Sequence, residues 1–325
     1  MAEVNMIQAI NMALAQEMER DKRIVIFGED VGKNGGVFRV TDGLQAKFGE
    51  KRVFDTPLAE SGIMGAAVGM AYAGLKPIPE IQFDGFTYLA YNQINAHAAR
   101  IRNRTRGRYE MPIILRFPYG GGVRALELHC EPLEGMYANI PGLTIVIPSG
   151  PYEAKGLLAA AVDWEDPILF LEHKRLYRAF KESVPEERYT VPIGKCRVAR
   201  EGSDVTIVTW GAMVRVSENA ANELKNEGIS CEIVDVQTIK PLDDATIIES
   251  VKKTGRLVIV QEAMQSFSAS SEIAARVAEK AMMSLRAPVR RVTGFDVPVP
   301  LPKLEEYFLP NERRIKSAIK DIMRY

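Results

Sequence analysis

The sequence contains few of the residues that mark secreted or zinc-binding proteins. Its 325 residues include only three cysteines and three histidines. Cys130, Cys196 and Cys231 lie far apart and form neither a CxxC motif nor an even-numbered disulfide framework. No spacing of His and Cys fits a zinc site. We therefore expect a reducing compartment, the cytoplasm, and no structural zinc.

The chain also has no excess of charge of either sign. Lys and Arg total 42, as do Asp and Glu. Proteins that bind nucleic acids usually carry a basic excess, so we expect no nucleic-acid partner. The five arginines between Arg100 and Arg108 alternate along the chain and would spread around a helix. We interpret them as ion-pairing groups at a subunit interface.

The sequence has no long apolar run, and we expect no signal peptide in its first 20 residues. The nearest apolar run, Ile63–Leu75, is short and rich in glycine and alanine, so we expect no membrane span. The first 20 residues include Glu3 and Glu17 and have no basic n-region. They fit an amphipathic helix instead, with Asn5 as its N-cap and Gln8 three residues further on.

What the sequence does contain is a series of short apolar runs that alternate with helical patterns. This alternation predicts parallel strands joined by helices, and thus an α/β fold with two doubly wound domains. The predicted strands of the first domain are Ile24–Phe27, Arg52–Phe54, Ile78–Phe83, Ile113–Phe117, Thr144–Ile147 and Ile168–Glu172. Those of the second are Val205–Trp210, Cys231–Val236, Leu257–Gln261 and Val289–Val292.

The segment Lys174–Ile193 interrupts this rhythm. It is charged and contains two prolines, which is typical of a linker rather than of a helix or strand. We therefore divide the chain into domains 1–185 and 186–325.

Ligands of open α/β sheets bind beyond the carboxyl ends of the strands, and Glu60 lies in such a place. The segment Asp55–Gly62 (DTPLAESG) follows a predicted strand and opens a helix at Glu60. One interpretation is a first-turn carboxylate favoured by the helix dipole. The other is a buried carboxylate that shares a proton with a bound heterocycle. The sequence by itself leaves both open.

A second candidate is the loop within Phe117–Cys130 (FPYGGGVRALELHC), which holds three consecutive glycines and ends at His129. The glycines indicate unusual backbone angles or a close ligand approach, but they match no nucleotide-binding fingerprint. His129 and Cys130 are adjacent, so their side chains point apart and do not predict a nucleophile pair. We interpret His97 as a buried or interface residue. His173 follows a strand but has no partner in the sequence.

Several segments together resemble one family. They include FGEDVGKNGGVFRVTDGL, RVFDTPLAESGIMGAAVGMA, GGGVRALELHCEPLEG, GLTIVIPSGPYEAKGLL and PLDDATIIESVKKTGRLVIVQEA. They are similar to the beta subunit of the decarboxylating first component of 2-oxo acid dehydrogenase complexes, over essentially the whole chain. The same chain resembles the pyrimidine-binding and C-terminal domains of transketolase.

This resemblance implies an enzyme that depends on thiamine diphosphate. The family's cofactor carboxylate matches Glu60, which would bind the pyrimidine ring and favour its imino tautomer. Leu58 and Phe86 match further cofactor-binding positions, and an aromatic ring at Phe86 would stack on a flat ligand. The family's active-site histidine matches His129, which would order the substrate or a lipoyl group and donate a proton in acyl transfer.

The resemblance also implies ions and partners. The family's structural monovalent cation, K⁺, matches the positions Ile113, Ala161, Trp164 and Asp166. The Gly-Asp-Gly motif that holds diphosphate and Mg²⁺ in the family does not occur in this sequence. An alpha subunit would supply it in an α₂β₂ heterotetramer, and the second domain would dock a lipoyl acyltransferase core.

The substrate stays open at this point. Pyruvate dehydrogenases, branched-chain 2-oxo acid dehydrogenases and acetoin dehydrogenases share this beta-subunit pattern, and Phe86 resembles the pyruvate type. Two other interpretations also stand: a transketolase-type half enzyme acting on sugar phosphates, and a non-catalytic interaction subunit.

Overall fold

Two mostly parallel sheets with helices on their faces form the framework of the protein. The computed structural model describes residues 1–300 and 302–325. Its strands are β1 (Ala2–Val4), β2 (Ile24–Gly28), β3 (Val53–Asp55), β4 (Lys76–Glu80), β5 (Ile114–Tyr119), β6 (Thr144–Val146), β7 (Ile168–His173), β8 (Glu182–Val184), β9 (Arg197–Arg200), β10 (Val205–Thr209), β11 (Cys231–Asp235), β12 (Thr238–Lys240), β13 (Leu257–Val260) and β14 (Arg290–Val292).

The helices cover these sheets and connect their strands. They are α1 (Met6–Arg20), α2 (Leu44–Phe48), α3 (Glu60–Tyr72), α4 (Thr87–Asn92), α5 (Ile101–Arg104), α6 (Glu134–Ala138), α7 (Pro151–Val162), α8 (Ala212–Lys225), α9 (Asp244–Thr254), α10 (Ala269–Ala281), α11 (Glu305–Phe308) and α12 (Glu312–Ile322). The predicted cap of α1 is confirmed, because Asn5 and Gln8 form a reciprocal capping box. Within residues 1–300 and 302–325, no helix combines the length and the apolar character needed to cross a membrane.

The first sheet has seven strands in the order β12-β6-β7-β5-β4-β2-β3. All of its pairings are parallel except β12 with β6. Because β2, β4, β5 and β7 run the same way, their carboxyl ends meet at one edge. That edge is where an α/β sheet binds its ligands.

The second sheet has five strands in the order β14-β13-β10-β11-β9. Only the outermost pairing, β9 with β11, is antiparallel. The two sheets share their buried apolar layers, since each large cluster draws side chains from both. In β2, Ile24 and Ile26 belong to one cluster and Val25 and Phe27 to the other. A strand buried on both faces reads as a continuous apolar run for this reason.

All ten strands predicted from the sequence exist, with bounds shifted by up to three residues. The four strands that the sequence did not predict are β1, β8, β9 and β12. Each has three or four residues and pairs antiparallel. Such short strands lack the apolar run that marks a central parallel strand.

The interpretation of Lys174–Ile193 as a segment without helix or strand was wrong for residues 174–176 and 182–184. Lys174–Leu176 forms a 3₁₀ turn, and β8 pairs with β1. The Lys174 side chain is fully buried against Asp84 rather than solvated. Downstream of this segment, β12 adds to the edge of the first sheet. The division of the chain near residue 185 stays a prediction.

Candidate active site

The carboxyl-end edge of the first sheet gathers the polar residues that follow its strands. Glu29 comes directly after β2, Asp84 four residues after β4, and Gly120 directly after β5. His173 is the last residue of β7 and pairs in register with Tyr119 of β5. The topology therefore brings segments far apart in sequence to one site.

Glu60 lies at this edge as the first residue of α3. Its N-cap, Ala59, makes no side-chain hydrogen bond to the helix, so the first-turn amides are not capped by a preceding polar side chain. The Glu60 residue is only 8% exposed. A carboxylate here is favoured by the helix dipole, and it is also buried enough to act on a ligand. The structure thus accommodates both sequence interpretations.

Glu29 is a candidate site residue that the sequence analysis missed. Both of its carboxylate oxygens are buried, and neither has a hydrogen-bond partner within residues 1–300 and 302–325. Burial, with smaller contributions from the charges of Glu60 and Asp30, raises the pKa of Glu29 to about 7. An unpartnered buried carboxyl is costly, so this position fits a polar group from outside the chain. The sequence feature that could have indicated Glu29 is its position directly after the apolar strand β2.

An aromatic cluster forms the neighbouring part of the edge. The His129 ring lies 4.1 Å from that of Phe83 and 5.1 Å from that of Phe86, measured between centroids. Phe83 and Phe86 meet edge to face at 5.6 Å. The structure therefore brings together two of the predicted residues, Phe86 and His129, from separate segments. Leu58 precedes α3 and is 78% exposed.

Gly85 explains how the segment of Phe86 and the loop of His129 come so close. Its amide donates to the carbonyl of Leu128 at 3.1 Å. A Cβ at position 85 would lie 2.4 Å from that oxygen, so only glycine fits without a shift of the backbone.

Asp84 and Lys174 form a buried ion pair beneath this cluster. The Lys174 ammonium donates to Asp84 at 3.1 Å, and neither side chain is exposed. The same carboxylate accepts the amides of Gly85 and Gly120 at 3.0 Å each. Burial raises the pKa of Asp84, and Lys174 opposes that rise. The pair therefore fixes the start of the glycine-rich loop to the sheet.

The other two histidines lie outside the aromatic cluster. His173 is buried and lies 2.9 Å from Glu262, which follows β13 in the second sheet. Its partner is 89 residues away, which is why the sequence offered none. His97 ends a π-helical turn and is half-buried.

Of the four predicted cation positions, Ile113 directly precedes β5, Ala161 lies in the last turn of α7, and Trp164 and Asp166 follow that helix. The Ile113 carbonyl accepts the amide of Ile168, and the Ala161 carbonyl accepts that of Trp164 at 3.1 Å. Asp166 accepts from Arg102 at 2.5 Å, so this arginine forms an intrachain ion pair. Within residues 1–300 and 302–325, no group of three or more His, Cys, Asp or Glu side chains is arranged to hold a metal ion.

Two family models match the chain, one for each half. Residues 2–179 match the model for the transketolase pyrimidine binding domain, and residues 194–315 match that for the transketolase C-terminal domain. A solved structure described as a split gene transketolase, inactive beta4 tetramer, superimposes with a TM-score of 0.79 at 23% identity, covering 99% of each chain. The predicted fold, with two α/β domains of these types, is confirmed.

Curated relatives match the whole length. The pyruvate dehydrogenase E1 component subunit beta of Acholeplasma laidlawii is 53% identical over 324 residues, which cover 100% of this chain and 99% of the relative. The protein of the same name from Staphylococcus epidermidis is 50% identical over 325 residues and is covered completely.

Proposed function

This chain belongs to the family of pyruvate dehydrogenase E1 component beta subunits, and from that premise we propose that it catalyses thiamine diphosphate-dependent decarboxylation of pyruvate together with an alpha subunit. The resemblance drawn from the sequence motifs is confirmed at the level of the family. The cofactor, the site residues, the substrate and the assembly are the substance of the proposal.

The observation that carries the proposal is the pair of buried carboxyls, Glu29 and Glu60. Glu29 directly follows β2, and Glu60 opens the helix that follows the neighbouring strand β3. The Glu29 oxygens lack any partner in the described chain. Two acids at such an edge fit a ligand with ring nitrogens that bind protons. Bound thiamine diphosphate supplies a carbon nucleophile and accepts the electrons that carbon dioxide leaves behind.

Glu60 would bind the pyrimidine of the cofactor and control its protonation. Its place at the start of α3 holds the carboxylate beside the helix amides, and its burial strengthens a hydrogen bond to the ring. Glu29, whose pKa is raised to about 7 by burial, is partly protonated near neutral pH and can therefore hold or release a proton beside Glu60.

Phe86 and His129 would act on the other parts of the ligands. The Phe86 ring would stack on a flat heterocycle and exclude water from it, and the exposed Leu58 would add apolar surface. His129, held between Phe83 and Phe86, would orient the substrate or a lipoyl group and donate a proton in acyl transfer. Acyl transfer to the lipoyl group of an acyltransferase core is part of this proposal.

An alpha subunit would complete the site in an α₂β₂ heterotetramer. The sequence has no Gly-Asp-Gly motif, so the groups for the diphosphate and Mg²⁺ would lie on the partner. Large apolar side chains are exposed around the site, among them Leu58, Leu89 and Leu126, at 65–78% of their area. Exposed apolar surface of this kind marks an interface.

A structural K⁺ would bind the carbonyls at Ile113, Ala161, Trp164 and Asp166. Carbonyl oxygens carry two lone pairs, so those of Ile113 and Ala161 can accept a hydrogen bond and still ligate a cation. Hard cations prefer such oxygen ligands. The residues present therefore fit the ion.

Pyruvate is the favoured substrate because the relatives named above are pyruvate dehydrogenase subunits and because Phe86 resembles the pyruvate type. A branched-chain 2-oxo acid and acetoin are the alternatives that the same fold accommodates.

The test is turnover by the chain assembled with its alpha subunit. Decarboxylation is measured with an artificial electron acceptor, with and without thiamine diphosphate, on pyruvate, 3-methyl-2-oxobutanoate and acetoin. We expect cofactor-dependent turnover with pyruvate preferred. Preference for another substrate would correct the specificity, and no turnover by a correctly assembled, cofactor-bearing complex would refute the proposed function.

A further inference from the structure

The loop between Gly120 and Cys130 has a strained backbone conformation that must be stabilised by contacts with other parts of the chain. Gly120 and Gly122 have φ of 78° and 88°, and the non-glycine residues Arg124 and Leu128 have φ of 54° and 63°. Non-glycine residues in this left-handed region are strained by about 1 kcal/mol or more each. They persist only where surrounding contacts determine the conformation.

Glu305 of α11 supplies much of that support. One of its oxygens accepts the amide of Gly122 and the other accepts the amide of Arg124, both at 2.8 Å. The Cys130 thiol, whose pKa burial raises to about 12, donates to the same carboxylate at 3.7 Å. A single carboxylate thus binds both ends of the loop.

The Glu305 carboxylate is buried against the loop. The residue is only 2% exposed, although it lies 175 residues beyond Cys130, the end of the loop. A Cβ at Gly121 would lie 3.1 Å from its Oε1, so the consecutive glycines let the carboxylate approach the loop. Glu262, also from the second half of the chain, accepts the amide of Gly121 at 3.0 Å.

His129 receives its position from this loop. Its Nδ1 lies 2.8 Å from the carbonyl of Glu127, and the neighbouring Leu128 carbonyl is bound by Gly85. The orientation of the imidazole therefore depends on the backbone of residues 122–130, which Glu305 holds.

We propose that Glu305 is a positioning residue for His129, through which the second half of the chain fixes the geometry of the active site. The inference rests on the proposed function, since it assigns Glu305 to the step in which His129 acts.

The replacement Glu305→Gln keeps one of the two carboxylate oxygens and replaces the other with an NH₂ group. Glutamine keeps one acceptor oxygen but presents an NH₂ donor in place of the other, facing an amide that also donates. One charge-assisted hydrogen bond is lost and a second is weakened. Glu306→Gln is the matched control, because Glu306 is the next residue on α11, is 73% exposed in its side chain and pairs only with the Arg124 side chain among the contacts of the described chain.

The experiment uses the chain assembled with its alpha subunit and thiamine diphosphate. Two activities are measured: acyl transfer to a lipoyl domain, and decarboxylation with an artificial acceptor. We expect E305Q to lower acyl transfer by about ten- to a hundredfold, as the loss of one or two charge-assisted hydrogen bonds implies, and to lower decarboxylation much less. E306Q should change neither activity by more than about twofold. The ratio of the two activities does not change when only the folded fraction falls.

A double-mutant cycle with His129→Ala tests whether Glu305 acts through that histidine. In the H129A background, we expect E305Q to lower acyl transfer by less than about twofold, because the group it positions is gone. Full, multiplicative losses in both backgrounds would overturn the proposal.

Hydrogen exchange gives a readout that needs no turnover. The amides of residues 120–130 should exchange faster in E305Q than in the wild type and E306Q, and the same exchange in all three would overturn the proposal. If E305Q does not fold, Glu305→Asp is measured in its place, because aspartate keeps the charge but shortens the side chain. If E305D changes neither the ratio of acyl transfer to decarboxylation nor the exchange of the amides of residues 120–130, the proposal is overturned. Absence of cofactor-dependent turnover in the wild type would instead refute the proposed function, while the exchange comparison still decides whether Glu305 fixes the loop.

Discussion

Removing the charge of Glu29 should change how the stability of the protein depends on pH. Burial, then the charges of Glu60 and Asp30, raises the pKa of Glu29 from 4.5 to about 7 in the folded chain. Between these two values the folded state holds a proton that the unfolded state releases. The stability linked to this group is therefore fully present below pH 4.5 and is lost as the pH rises to about 7.

The size of the effect follows from the shift. A rise from 4.5 to about 7 corresponds to between about 3 and 4 kcal/mol, at about 1.4 kcal/mol per pH unit. Relaxation of the fold around the buried charge and penetration of water lower this cost to about 2 kcal/mol. If all 325 residues unfold together, that energy corresponds to about 3 °C in Tm.

Glu29→Gln should thus be more stable than the wild type at pH 8, by about 3 °C, and nearly equal to it at pH 5. The measurement is thermal unfolding at pH values from 5 to 8. Asp30→Asn is the matched control, because Asp30 is exposed, contributes least to the shift, and has a φ of 58° that asparagine tolerates. It should leave the pH dependence close to that of the wild type. A Tm difference between E29Q and wild type that stays constant from pH 5 to pH 8 would refute the assigned protonation state.

Three further changes test the site and its framework. Glu60→Gln should abolish cofactor-dependent decarboxylation in the assembled complex while leaving the circular dichroism spectrum unchanged. The control Glu312→Gln, at the first turn of α12, should retain activity. Full activity in E60Q would exclude the cofactor role of Glu60. His129→Ala should lower acyl transfer to a lipoyl domain more than decarboxylation with an artificial acceptor, and equal retention of both activities would contradict its role. Glu172→Gln should lower the free energy of unfolding by about 3 kcal/mol, measured by urea titration. The reason is that Glu172 Oε1 accepts from Nε of the fully buried Arg116 at 2.6 Å. A loss below about 1 kcal/mol would show that the charge of Arg116 is compensated elsewhere.

The resemblance in the sequence led to Glu60, Phe86 and His129, but its pattern gave no sign of Glu29 as a site residue. Phe86 and His129 come from segments with recognisable motifs, and the structure brings their rings to within 5.1 Å. Glu29 is unusual only because its carboxylate has no partner, and that property depends on everything packed around it. Whether a carboxylate is buried and lacks a partner is not visible in the local pattern of the sequence.

The sequence by itself determined the ten strands that it predicts and the helix cap at Asn5, because apolar periodicity and capping act over a few residues. The tertiary structure decided the rest. The short antiparallel strands form only where a neighbouring edge offers hydrogen bonds, as β6 does for β12. Likewise, Glu262 and Glu305 reach the loop of His129 across 141 and 183 residues, a distance over which hydrogen-bond partners are set by packing and not by sequence neighbours.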